Sequence, residues 1–97
     1  TYNVHMSLSF EWDSGKATQN LRKHGVSFEE AVSVFSDERA RLIDDPDHSA
    51  DEERFILLGL SANLQVLVVV HCYRRSGSAI RLISARKATR EEKRFYP

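Results

Sequence analysis

Cationic side chains crowd one short stretch of this chain. Ile80 to Pro97, IRLISARKATREEKRFYP, holds Arg81, Arg86, Lys87, Arg90, Lys93 and Arg94 against only Glu91 and Glu92. Guanidinium and ammonium groups on one surface attract phosphates over about a Debye length, so the segment reads as a polyanion site. The overall balance conceals it, because the formal net charge is zero. Residues 1–60 carry six Lys/Arg and twelve Asp/Glu, a net of −6, whereas residues 61–97 carry eight and two, a net of +6. Two other uses of this split stand open. The acidic part can meet a basic partner, or the halves can neutralise each other in the fold.

Other chemistries lack their residues. His24, His48 and His71 are scattered without ligand spacing, and the single Cys72 cannot build a zinc site. The loop Asp44, Asp45, Asp47, Asp51 lacks the oxygen-ligand register and closing Glu of a calcium loop, and reads as solvated. The four glycines are dispersed, so no loop cradles phosphate, and no nucleophile elbow occurs. No metal or cofactor is expected. What remains is Lys23-His24 at a helix end, Arg54 opening a strand, and Arg81, Arg86 and Lys87 on and after the last strand.

Plainer roles compete for each. Lys23 and His24 can complement a helix C-terminal dipole, Arg54 can pair with neighbouring carboxylates, and Lys93 and Arg94 read as solvated helix charges. Period-2 alternation sets Arg81 on the face of Ile83 and Arg86 on that of Ile80 and Leu82. The two arginines therefore face opposite ways if the strand is regular; only a bulge or the strand end would redirect one. Lys87 and Arg90 lie near the start of the last helix, whose free amides also favour a phosphate.

The elements that must carry these groups are legible. Ninety-seven residues, 41% hydrophobic and 29% charged, specify one globular domain, read as residues 8–96. Met6 reads as the natural start and Thr1–His5 as an expression scar. The longest apolar run, Val66–Val70, cannot cross a bilayer, and Cys72 alternates with Val66, Val68 and Val70 as a buried hydrophobe. A cytoplasmic setting fits. Residues 8–12 alternate as a short strand. Asp13 or Ser14 caps a helix to His24, which Gly25 stops. Ser27 and Glu30 offer a capping box to a second helix ending near Ser36. Strands follow at 39–43, 54–60, 64–73 and 79–85, with Pro46 barring pairing in the acidic loop. Thr89 and Glu92 offer a second capping box to a final helix. The order is β-α-α-β-β-β-β-α, an α+β fold with an antiparallel sheet of three to four strands packed against helices.

Several blocks together resemble a known family. Residues 20–31, NLRKHGVSFEEA, then Asp51-Glu52-Glu53-Arg54 and Gly59, then residues 80–92, IRLISARKATREE, resemble the BrnT toxins, and Phe10-Glu11-Trp12-Asp13 fits as well. The resemblance covers roughly Leu8 to Tyr96. It implies a RelE-like fold and a ribonuclease toxin of a type II toxin–antitoxin system that stops translation. It also implies a BrnA-like partner, an antitoxin with a ribbon-helix-helix domain through which the pair reaches operator DNA. Lys23, His24, Arg54, Arg81 and Arg86 are carried over as catalytic candidates, with Lys87 and Arg90 for RNA binding; His71 is left outside the site.

Metal-free RNA cleavage needs a base for the 2′-OH, cations for the phosphorane and an acid for the 5′ oxygen. A free imidazole titrates near neutrality, which qualifies His24 for proton transfer. Arginine grips phosphate bidentately, which suits Arg54, Arg81 and Arg86 to charge stabilisation, and Lys23 can serve either task. Tyr96 or Trp12 can stack on a base or pack in the core. The competing function is a non-catalytic binding module, an antitoxin-bound co-repressor.

Overall fold

A computed structural model describes residues 9–44 and 53–97. The acidic loop after Asp44, with His48 and Asp51, lies outside them. The elements run β1 (Ser9–Glu11), α1 (Ser14–His24), α2 (Phe28–Val34), β2 (Arg41–Asp44), β3 (Phe55–Leu60), β4 (Val66–Arg74), β5 (Ala79–Lys87) and α3 (Arg90–Lys93). The expected order holds. The sheet has five strands rather than three to four, in the order β1-β5-β4-β3-β2. Hairpin logic accounts for β2 to β5, which are antiparallel neighbours. It cannot reveal that the three-residue β1 returns to lie parallel beside β5, a pairing between distant parts of the chain.

Local chemistry sets the helix ends. Asp13 accepts the Lys16 amide at 2.9 Å, and Gly25, at φ 70°, closes α1 in the left-handed conformation. Ser27 Oγ accepts the Glu30 amide at 3.0 Å, but the reciprocal half of that capping box is absent. The Glu30 carboxylate instead accepts from Ser61 Oγ at 2.6 Å and Gln65 Nε2 at 2.9 Å, anchoring the β3–β4 turn. A tertiary partner has outcompeted a local one. The Thr89–Glu92 box forms in full.

Both helices α1 and α2 cover one face of the sheet. Val26, Phe28, Ala31 and Val34 pack there on Leu67, Val69, Ile80, Leu82 and Ala85, each large side chain contributing about 1.5–3 kcal/mol by its burial. Trp12 lies edge-on to Phe28 at 5.7 Å. Gly59 is needed where the end of α2 meets β3, since a Cβ there would stand 2.7 Å from Val34 Cγ1. The opposite face carries a smaller cluster, Leu58, Val68 and Ala88 with Ile56, Val66 and Tyr96. Tyr96 is tied down by donating to Asp37 Oδ2 at 2.7 Å.

One irregularity governs the rest. Val70 pairs with Ser84 and His71 with Leu82, so Ile83 has no partner on β4 and bulges. Alternation restarts after it. Ile80, Leu82 and Ala85 all reach the helix-covered core, while Arg81 lies opposite Cys72 and Arg86 opposite Val68. Cys72 and Val68 alternate with the core residues Val69 and Leu67, so both arginines share the open face. The expectation of opposite faces held only for a regular strand, and this strand is not regular.

Candidate nucleic-acid interface

Arg81 sits in register with Glu11 across the β1–β5 pair, and its Nη1 donates to Glu11 Oε2 at 3.2 Å. Arg75, from the turn before β5, donates to the other carboxylate oxygen at 2.5 Å. The Arg75 hydrogen bond, reinforced by Arg81, holds the Glu11 carboxyl below its usual range despite some desolvation.

Arg86 makes the tighter pair. Its Nη1 and Nη2 each donate to a Glu92 oxygen at 2.8 Å, and Nη1 also reaches the Lys87 carbonyl at 3.3 Å. The hydrogen bond to Glu92 raises the Arg86 pKa further. Arg86 and Glu92 form one wall of a groove of about 440 Å³ on the open face. Ile56, Leu58 and Val68 line it from the sheet, and Arg41, Ile43 and Phe95 complete it. Phe95 is 65% exposed. Trp12 and Tyr96, which the sequence leaves open to stacking or core packing, pack on the core and engage Phe28 and Asp37.

Lys23 and His24 lie elsewhere, in a hollow of about 240 Å³ where the end of α1 meets the β5 edge at Ile83 and Ser84. Lys16 and Gln19 complete it. The buried Asn20 side chain fixes this junction. It accepts the Ala85 amide at 3.1 Å and donates to the Ala85 carbonyl at 2.8 Å and the Val26 carbonyl at 3.0 Å. Its carboxamide thus stands where β1, paired only as far as Arg81, no longer supplies a neighbour to β5. Arg54, half-buried, directly precedes β3. Extending the Phe55–His71 register by one residue brings it level with Cys72, the partner of Arg81.

The two RNA-binding candidates diverge. Lys87 is exposed opposite Leu67, on the other alternation from Arg86, and Arg90 is exposed at the head of α3. That helix is one turn of four residues, with the Thr89 and Glu92 amides already satisfied by the capping box, which leaves the Arg90 and Glu91 amides for a phosphate. His71 is fully buried, edge-on to Phe35 at 4.9 Å and Tyr73 at 5.3 Å, and burial lowers its pKa.

The candidates therefore gather around β5 in two groups, Arg81 and Arg86 on the open face and Lys23 and His24 at its edge. Sequence reasoning missed Arg41, Phe95 and the partnering roles of Glu11 and Glu92. Alternation in β2 and β1 could have found Arg41 and Glu11; Glu92 was legible only as a helix cap. No group of three or more His, Cys, Asp or Glu that could hold a metal occurs among the described residues. No helix among them is long and apolar enough to cross a membrane.

Comparison with known proteins adds two findings. Residues 12–92 match the family described as the ribonuclease toxin BrnT of type II toxin–antitoxin systems. The crystal structure of the Brucella abortus ribonuclease toxin BrnT superposes with a TM-score of 0.65 at 24% identity, covering 86% of this chain and 99% of that one. At that identity it speaks for the fold. No curated protein sequence matches.

Proposed function

The chain belongs to the BrnT family of ribonuclease toxins of type II toxin–antitoxin systems, and from this we propose that it is a metal-independent endoribonuclease that inhibits translation in the cytoplasm. The observation that carries the site assignment is the bulge at Ile83, which gives Arg81 and Arg86 a common face. On this reading the RNA 2′-OH attacks the adjacent phosphorus and the 5′ oxygen leaves. The base takes the 2′ proton and the acid supplies one to the departing oxygen, leaving a 2′,3′-cyclic phosphate and a 5′-OH. Arg81, Arg86 and Arg54 stabilise the phosphorane charge, the task a metal ion would otherwise perform. His24 and Lys23, at the β5 edge, are the proton-transfer groups, and Lys87 and Arg90 guide the flanking backbone. A BrnA-like ribbon-helix-helix antitoxin neutralises the toxin and links it to operator DNA.

Purified protein is expected to cut RNA in EDTA and leave 2′,3′-cyclic or 3′-phosphate ends. Cleavage lost in chelator and restored by magnesium overturns the metal-free mechanism. Absence of cleavage even on translating ribosomes supports the non-catalytic co-repressor instead. Arg81→Ala and Arg86→Ala should each lower cleavage by about 10²-fold, the usual cost of one transition-state donor, with the fold intact by circular dichroism.

A further inference from the structure

We propose that Glu92 is a positioning residue, holding the Arg86 guanidinium so that one edge stays open for an RNA phosphate. The inference rests on Arg86 being a phosphate-binding group. A guanidinium has five N–H donors in a rigid plane. Glu92 takes one from Nη1 and one from Nη2, and the Lys87 carbonyl takes the second on Nη1. Nε–H and the remaining Nη2–H have no partner among the described residues. They lie on the same edge of the plane, at the spacing that two phosphate oxygens accept bidentately.

Glu92 is itself immobilised. Its Oε1 accepts the Thr89 amide at 2.9 Å while its own amide donates to Thr89 Oγ1 at 3.1 Å. The carboxylate is thus fixed to the main chain of α3, and through it the orientation of Arg86 is fixed relative to β5. The Arg86 side chain is still 39% exposed, so a ligand can reach the open edge. A carboxylate beside a phosphate site weakens the local positive potential, which makes it a poor device for affinity and suits it only to orientation. Removing it should therefore move binding and turnover differently.

The test is saturation kinetics of RNA cleavage by the full chain and its Glu92→Gln, Glu92→Asp and Arg86→Ala variants, with melting temperatures alongside. Glu92→Gln should lower kcat about tenfold, as expected for a misaligned contact, without raising KM, since one opposing charge is gone. Glu92→Asp keeps the charge but is one methylene too short to reach both Nη groups from α3, and should lower kcat similarly at unchanged KM. It carries the test should Glu92→Gln fail to fold. If Arg86→Ala is crippled while both Glu92 variants keep wild-type kcat, positioning is overturned and the reading of Arg86 stands. If KM rises in both, Glu92 serves binding or stability and the proposal also fails. Full activity in Arg86→Ala removes the premise itself.

Discussion

At the scale of single residues, charge is organised in pairs. The Arg86 hydrogen bonds hold the Glu92 carboxyl at about 2 against an ordinary 4.5, overcoming the opposing effect of burial, with help from the Thr89 amide. The unfolded chain protonates this group near 4.5, the folded chain only near 2. Its stabilisation is therefore whole above the higher value and lost as pH falls towards the lower. Melting curves of wild type and Glu92→Gln should differ at about pH 6 and converge by about pH 2; a constant gap would exclude this linkage. Phe95 makes a second residue-scale case. It borders the groove beside Arg86 yet stays largely exposed, as a platform for a base would. Phe95→Ala should weaken RNA binding by about 1–3 kcal/mol in a filter-binding titration and leave the melting temperature nearly unchanged.

At the scale of elements, what was legible depended on how local the cause was. Asp13, Gly25, Ser27 and Thr89 announce helix ends because their partners lie within four residues. Glu30 misled because a turn formed by Ser61 and Gln65 competed for its carboxylate. The bulge left only a faint trace, a core spacing of two and then three through Ile80, Leu82 and Ala85, hidden by the apolar Ile83 beside them. A strand assigns its faces by parity, and one unpaired residue reverses parity for all that follows. Deleting Ile83 would set Leu82 and Ser84 side by side, still opposite His71 and Val70, so Ala85 and Arg86 keep their faces and that variant should retain a cooperative thermal transition. Asn20 tests the same junction from its other side. Asn20→Ala leaves the Ala85 amide and carbonyl without their side-chain partner, and should cost about 1–3 kcal/mol per buried group left unsatisfied, read from the urea midpoint.

At the scale of the molecule, the charge split turns out to be partly internal. Glu11, from the acidic half, engages Arg75 and Arg81 of the basic half, so neutralisation within the fold and a basic surface coexist. An antitoxin that covers the basic surface should associate more slowly as salt rises, because attraction between opposite charges is screened. Stopped-flow mixing at increasing ionic strength checks this, and a salt-independent rate would point to an apolar encounter.

Glu11 and Arg81 stand 70 positions apart, and this separation has a temporal meaning. The ribosome delivers β1 early, but among the described residues its only strand neighbour is β5, nearly the last element made. While Ala79 onward is still in the exit tunnel, β1 has nothing to pair with, and Arg81 and Arg86 have not met Glu11 and Glu92. Completion of the open face then belongs to chain release rather than elongation. Released chains truncated after Gly77 should be digested rapidly by protease, while full-length chains resist. Resistance in the truncated chain would mean that the helices and β2 to β4 hold together unaided.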